Sequence, residues 1–358
     1  MGKLRESYPL GAIRRQSKAK LAHPTASFKD QTVVIIGATG VMCSEAAKIL
    51  AQLDVGTLVF GIRNLAKAER LADDTVSHYG LPRERILIKQ VDLVSFESTK
   101  AFAADLQSLP RLDVLLIGSA TNNTKRFVTG DGWEENLQVI HLSCALLTIL
   151  LLPKLQTSAD ENRAPRRHQQ RLFRPVVDYL RDVSDDKVVW KLGQYGVCKI
   201  VSYCWFGTLA SLLDPSHVHV HSLDPGCTKS PLSTNSIPAR IFLGVFGRSP
   251  VLCGRAIANS CLPVENAHGA MLWDYEVEKY GPTPRTMHLN IGSRMLTSAA
   301  MYRPTKFMSS ERTREMRKVI WEETRSVLEL LSPEAVQVYA DLDQKSGGLS
   351  SDRIDRRS

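Results

Sequence analysis

An apolar run that breaks into a glycine turn, close to the front of the chain, constrains the fold most. Residues 32–36 are Thr-Val-Val-Ile-Ile, which is typical of a buried strand, and residues 44–53 predict a helix. Glycine between them lets the backbone approach a pyrophosphate, and amide groups at a helix N-terminus favour phosphate. Cys43 stands where a third glycine is usual, and such turns also close folds that bind nothing. The turn predicts a nucleotide cradle formed by Gly37, Thr39, Gly40, Val41 and Met42.

The alternation of strands and helices continues through the first half of the chain. Strands are predicted at residues 57–61, 85–91 and 112–118, and helices at 64–78 and 95–109. This spacing is typical of parallel βαβ units. The predicted fold class is therefore α/β, a doubly wound parallel sheet between two helical layers, which is the three-layer Rossmann arrangement. Later helices are predicted at 132–155, 187–213 and 306–342, with a break near Pro333, and a late strand at 217–223.

One segment interrupts this pattern. A doubly wound sheet needs a fifth strand between residues 155 and 190, but residues 158–174 read SADENRAPRRHQQRLFR, which is too polar for a buried strand. One hypothesis is a local frame error. With permitted synonymous codons, residues 165–173 read one nucleotide later give Pro-Val-Val-Ile-Asn-Ser-Ala-Ser, an apolar strand with a serine. Sequencing a transcript across the segment and finding the present frame intact would exclude this hypothesis.

Charge and cysteine usage narrow the functional classes. The net charge of +9 is mostly peripheral, with +5 in residues 1–30 and +3 in residues 161–182, so it predicts solvated segments and no nucleic-acid surface. Seven cysteines without paired or metal-type spacing predict a reducing, cytoplasmic location. His217, His219 and His221 alternate without a supporting carboxylate or cysteine pattern, so no metal site is predicted. The most apolar stretch, residues 142–153, predicts a buried helix that is too short to span a membrane.

The chain has no internal repeat and no clear linker. The predicted organisation is a basic extension at residues 1–30, a single domain at 31–342 with a substrate lid at about 228–260, and a polar tail at 343–358.

Tyr195 and Lys199 are the main candidates for chemistry. They are four residues apart in a predicted helix, so both side chains emerge on one face. An ammonium beside a phenol favours the phenolate, which lets the tyrosine exchange a proton with a carbonyl oxygen. Tyr275 and Lys279 have the same spacing, so only position in the fold discriminates between the two pairs.

The order of these signals resembles the short-chain dehydrogenase/reductase family over residues 30–340. The glycine turn, Asp92 after the third strand, the Tyr195/Lys199 pair and the Asp-Pro-Gly-Cys-Thr run at 224–228 follow the family's sequence. The resemblance implies that Tyr195 is the general acid/base and that Lys199 binds the nicotinamide ribose. It also implies that Asp92 accepts from the adenine, although this residue could simply cap the next turn. Contacts to the nicotinamide amide are implied for Pro225, Gly226 and Thr228 or Ser230.

The end of the second strand predicts the choice of cofactor. An acid there would bind a ribose 2′-hydroxyl, whereas an arginine accepts a 2′-phosphate. The sequence has Arg63 and no acid, which predicts NADP(H); a solvated arginine at a helix start is the alternative.

Three positions depart from the family's pattern. Residues 117–120 are Ile-Gly-Ser-Ala in place of Asn-Asn-Ala-Gly, and Ile140 stands where the resemblance places a helical asparagine. His141 beside it is a possible substitute, or a structural residue. No serine closes a fifth strand. Ser184, eleven residues before Tyr195, is the nearest candidate for the catalytic serine, although its surroundings also read as a surface helix cap.

Two functions remain open. The first is an NADPH-dependent oxidoreductase acting on a carbonyl or secondary alcohol of a hydrophobic small molecule. The runs at 131–134, 150–155 and 320–324 are similar to fungal secondary-metabolite reductases and their retinol-dehydrogenase-like relatives, which implies polyketide or terpenoid tailoring. The second is a catalytically impaired member that binds a cofactor or a partner. The resemblance also implies a homo-oligomer, unless the final fifty residues cover the usual interface.

Overall fold

The computed structural model describes residues 21–123, 125–160, 179–185, 194–226, 228, 230, 241, 243–245, 247–262, 266–273, 276–277 and 311–345. Strands and helices alternate through the first half, as predicted. The elements are β1 (Thr32–Ile36), α1 (Val41–Gln52), β2 (Thr57–Ile62), α2 (Leu65–Tyr79), β3 (Ile86–Gln90), α3 (Phe96–Gln107) and β4 (Val114–Ile117).

The first four strands form one parallel sheet in the order β3-β2-β1-β4. Every residue of β1 is buried, because helices cover both faces of the sheet. Val33 and Ile35 pack with residues of α1 and α2, whereas Val34 and Ile36 pack with residues of α3 and of the long helix that includes Ser143–Asp160. Alternate β1 side chains thus enter two separate cores, which confirms the three-layer, doubly wound fold.

The rest of the described chain adds six further helices and a smaller sheet. Helix α4 comprises a first turn at Glu135–Leu137, a π-helical turn at Gln138–Leu142 and a long part at Ser143–Asp160. The other elements are α5 (Tyr179–Asp185), α6 (Gln194–Leu212), β5 (Ser222–Asp224), α7 (Pro250–Ser260), β6 (Met271–Trp273), β7 (Glu276–Val277), α8 (Glu311–Leu331) and α9 (Pro333–Lys345). Strand β5 pairs with β6 in parallel, and β6 pairs with β7 in antiparallel orientation.

The sheet is divided where the sequence lacks its fifth strand. Among the described residues, no strand joins β4 to β5, and all four residues of β4 are only partly buried. The frame-error hypothesis concerns residues 165–173, which lie outside the described residues together with the rest of 161–178. Tyr275 and Lys279 also lie outside the described residues.

The two C-terminal helices are part of the main core. Trp321 of α8 stacks on Trp205 of α6 at 5.7 Å between ring centroids, and Tyr339 of α9 meets Trp321 edge-on at 5.4 Å. All three side chains are buried. Pro333 occupies the first position of α9, where its missing N–H costs nothing, so the predicted break is confirmed.

Three boundaries differ from the sequence-based expectation. Phe28 is fully buried and its backbone bonds to Leu53 and Gly56, so the folded domain begins before residue 31. Helix α7, inside the predicted lid, is fixed against α1, because Gly254 allows contact with Glu45. The late strand is confined to Ser222–Asp224.

One helical stretch, Glu135–Ala159, is long and apolar enough to cross a membrane, but 94% of its apolar window is buried inside the protein. The buried helix predicted for residues 142–153 is therefore confirmed, and it is longer than the sequence indicated.

Candidate active site

The glycine turn lies at the carboxyl end of β1. Gly37 has a φ of +79°, and a Cβ at this position would lie 2.5 Å from Ser119 Oγ, so only glycine fits. The Gly40 amide donates to the Gly37 carbonyl at 2.9 Å, and α1 then begins at Val41. Gly40 has no side chain to cap the helix, which leaves the amides of the first turn, at Val41 and Met42, without side-chain caps. The turn has the backbone arrangement that binds phosphate.

Cys43 replaces the usual third glycine, and Gly118 leaves room for its side chain. Its sulfur lies against Gly118 at the end of β4, and a Cβ at position 118 would overlap it. Cys43 is 4% exposed, and burial raises its pKa to about 11. It is therefore a neutral packing residue of the cradle.

The Tyr195/Lys199 pair faces this cradle. Both residues lie on the first turns of α6, and Lys199 Nζ is 5.7 Å from the centre of the Tyr195 ring. The Lys199 charge acts on the thiols of Cys43 in α1 and Cys144 in α4, so the ammonium lies where these helices meet. Lys199 is exposed to solvent at this position.

Burial outweighs the expected effect of the lysine on the phenol. Desolvation raises the pKa of Tyr195, and the carboxylate of Asp224 raises it further. Desolvation also lowers the pKa of Lys199. The expected lowering of the tyrosine pKa is therefore wrong for this structure, because the phenol loses hydration and lies near the Asp224 carboxylate.

The Pro-Gly loop after β5 is held by a buried arginine. Gly226 has a φ of +88°, and its amide donates to Asp224 Oδ1 at 2.8 Å. The Thr228 hydroxyl donates to the carbonyl of Arg248 at 2.7 Å, and Arg248 Nη1 donates to the Pro225 carbonyl at 2.9 Å. Arg248 is only 6% exposed. Sequence reasoning missed it, because it lies within the segment predicted as a lid.

Comparisons with known proteins bear on this arrangement. No protein-family model matches the chain. It is 27% identical over 273 residues to the short-chain dehydrogenase/reductase phmF of Phaeosphaeria nodorum, which covers 71% of this chain and 81% of phmF. It is 25% identical over 321 residues to the short chain dehydrogenase macD of Penicillium terrestre, which covers 82% of this chain and 89% of macD. The chain is thus similar to curated short-chain dehydrogenases/reductases over most of its length.

Solved structures agree with the fold of this chain. A short chain dehydrogenase from Shigella flexneri gives a TM-score of 0.51 at 17% identity, over 74% of this chain and 99% of that one. A second, from Salmonella enterica, gives 0.51 at 18% identity, over 70% and 98%. Both show the Rossmann arrangement.

Ser184, the candidate for the catalytic serine, lies inside helix α5 and is 1% exposed. Its Oγ accepts a hydrogen bond from the Glu134 amide at 2.9 Å. The predicted surface cap is wrong, because α8 packs over α5 and Glu323 Oε2 accepts the Leu180 amide at 2.5 Å.

Ile140 is buried in the π-helical turn of α4. Such turns are rare and occur mostly at functional sites, so the backbone keeps a special geometry where the family resemblance expects asparagine. His141 beside it is fully buried and bonds Thr324 Oγ1 at 2.8 Å, and burial lowers its pKa to about 3. These contacts make His141 a structural residue of the α8 interface.

The ends of β2 and β3 carry the other predicted cofactor residues. Arg63 is exposed, and among the described residues no acid forms an ion pair with it. Asp92 Oδ1 accepts the Val94 amide at 3.2 Å, so the turn-capping role is present. In the described part of the chain, no group of three metal-ligating side chains is found.

Proposed function

We propose that the protein is an NADPH-dependent oxidoreductase acting on a carbonyl or secondary alcohol. The observation that carries this proposal is the meeting of the Tyr195/Lys199 pair with the glycine cradle, since the Lys199 charge acts on Cys43 in the first turn of α1. A proton-transfer group beside a phosphate-binding turn is the pair of features that nicotinamide chemistry requires.

The residues present fit a dinucleotide. Gly37, Gly40, Val41 and Met42, with Thr39 between them, would receive the pyrophosphate, because the turn leaves backbone room and uncapped amides. Arg63 would meet a 2′-phosphate, and Asp92 the adenine. Pro225, Gly226 and Thr228 would line the nicotinamide end, where Arg248 holds the loop.

The bound nicotinamide would supply the hydride. Tyr195 keeps its proton at neutral pH, because burial raises the pKa of the phenol, and it would donate that proton to the substrate oxygen. Lys199 would stabilise the phenolate that remains and bind the ribose, as the family resemblance implies. A protonated tyrosine favours the reductive direction.

The substrate class rests on the family resemblance and on exposed apolar side chains in the predicted lid. Ile241 and Val245, in the predicted lid, are 65% and 71% exposed, which suits a hydrophobic small molecule. The fungal resemblance favours a polyketide or terpenoid tailoring step in the cytoplasm. A homo-oligomer would use surfaces other than the faces of α4 and α6 that α8 and α9 cover.

A second candidate is a catalytically impaired member that binds the cofactor or a partner. Two observations favour it. Ile140 stands where the family resemblance expects asparagine, and the Ser184 hydroxyl oxygen accepts a hydrogen bond from the Glu134 amide. Loss of one preorganised donor typically costs about 10²–10³ in rate, which slows turnover without abolishing it.

A fluorescence titration with NADPH and NADH tests the proposal. Micromolar binding that favours NADPH, weakens in Lys199→Ala and persists in the exposed control Lys318→Ala would support it. Binding without reduction of a panel of hydrophobic ketones would favour the second candidate. Absence of binding would overturn both cofactor-dependent functions.

A further inference from the structure

Glu134 is a buried carboxylate that lies between three helices. It is 0% exposed and immediately precedes α4. Asn136 Nδ2 donates to its Oε1 at 2.7 Å, and the Leu137 amide and Gln194 Nε2 donate to its Oε2 at 3.0 and 3.2 Å. In the part of the chain that the structure describes, no lysine or arginine forms an ion pair with it. Neutral donors therefore satisfy this carboxylate.

The positive ends of two helix dipoles explain how the charge is tolerated. Glu134 is the N-cap of α4, and Gln194, its partner across the site, is the first residue of α6. A carboxylate is stabilised near a helix N-terminus, and the Glu134 carboxylate bonds residues at the N-termini of both α4 and α6. Desolvation raises the pKa of Cys198, one turn into α6, and the Glu134 charge raises it further.

Gln194 connects this carboxylate to the candidate catalytic helix. Its Nε2 bonds both Glu134 and the Val183 carbonyl of α5, at 3.2 and 2.8 Å, and its side chain is 3% exposed. The next residue is Tyr195. On the opposite side, the Glu134 amide donates to Ser184 Oγ at 2.9 Å. The beginnings of α4 and α6 and the end of α5 are thus joined at one side chain.

We propose that Glu134 is a positioning residue that acts through Gln194 to fix the start of α6 and hence the place of the Tyr195 phenol. The catalytic part of this inference rests on the proposed function. Its structural part, the coupling of Glu134 to the start of α6, is measurable in protein without substrate.

The chain offers variants that separate capping from positioning. Glu134→Asp keeps an N-cap acceptor for the Leu137 amide but shortens the reach to Gln194. Gln194→Met removes the amide at nearly constant volume and leaves Glu134 its other donors. Glu135→Gln, at the adjacent and partly exposed position, is the matched control.

The first measurement is hydrogen exchange over residues 194–204. We expect faster exchange in Glu134→Asp and Gln194→Met, no further increase in the double variant, and no change in Glu135→Gln. Unchanged exchange in the two single variants would overturn the proposal, whatever the activity of the protein.

The second measurement is the pH profile of NADPH-dependent reduction of phenanthrenequinone. We expect kcat to fall on the order of 10- to 100-fold in both single variants, since small displacements of a catalytic group have such effects. The kinetic pKa should fall as water reaches the phenol, with Lys199 and Asp224 still in place, whereas a purely structural role would leave it unchanged. Additive losses in the double variant would show that Glu134 does not act through Gln194. An inactive wild type would count against the proposed function alone.

Discussion

The sulfur of Cys43 occupies the space that a side chain at position 118 would need. Cys43 replaces a glycine of the phosphate-binding turn, and Gly118 stands at the end of β4, where the family resemblance expects an asparagine. The side chain at position 43 fills the space that the glycine at position 118 leaves free, so the cradle stays densely packed.

Gly118→Ala should destabilise the protein by about 1–3 kcal/mol, because the added methyl group overpacks against Cys43. Cys43→Gly in the same chain should restore most of that loss. Urea denaturation of the two single variants and the double variant measures the coupling. Gly130→Ala, at an open position, is the control. Additive effects of the two substitutions would show that the pair is independent.

Arg63→Ala should reduce NADPH affinity by about tenfold and leave NADH affinity almost unchanged, because one charge-assisted hydrogen bond to a phosphate is worth about 1.5–3 kcal/mol. Fluorescence titrations with both nucleotides give the ratio. Arg70→Ala, an exposed arginine on the neighbouring helix, controls for net charge. An equal loss for both nucleotides would place the arginine away from the 2′-phosphate.

Acid should destabilise the fold through buried histidines. Burial lowers the pKa of His141 to about 3 and that of His221 to about 4, whereas both titrate near 6.5 when unfolded. The unfolded state therefore binds more protons below pH 6.5, and stability falls as the pH drops towards these folded values. Protonation of His141 in the unfolded state should by itself lower the free energy of unfolding by about 3 kcal/mol between pH 7 and pH 4.

Urea denaturation at several pH values checks the histidine effect. His141→Gln should reduce the acid slope by about one proton over this range, whereas the exposed control His78→Gln should not. An unchanged slope in His141→Gln would assign the acid sensitivity to other groups.

Trp321→Ala should destabilise the protein by about 3–5 kcal/mol, as expected for a buried tryptophan that leaves a cavity. The loss arises because Trp321 lies between Trp205 and Tyr339. Thermal denaturation should show it, with Leu330→Ala as the control, since Leu330 is 86% exposed. A small effect would mean that α8 and α9 are dispensable for the core.

Local patterns predicted the first half of the fold well. Each strand from β1 to β4 matches an apolar run between turn residues, and each helix has a clear apolar face or cap, such as Asn64 before α2. The Tyr195/Lys199 pair and the glycine turn were found in the same way. These features depend on neighbours in sequence.

Long-range contacts account for what the sequence did not reveal. Ser184 is buried by α8, whose residues follow it by more than a hundred positions. The late strand begins at Ser222 and not at residue 217, and before it the Val220 amide donates to His268 Nδ1, a bond between distant segments. No role was predicted from the sequence for Glu134 or Arg248, since their partners come from α6 and the Pro-Gly loop.

The position of α8 and α9 at the end of the chain affects how the protein is made. At roughly 5–20 residues per second, a ribosome needs on the order of ten seconds to add the roughly 130 residues between the end of α6 and the end of α9. Throughout that interval the apolar faces of α4 and α6, and the beginning of α5 that Glu323 caps, have no cover from α8 and α9. The nascent chain must stay soluble with Trp205 exposed, so its yield in a cell depends on chaperone capacity as well as on the stability of the finished fold.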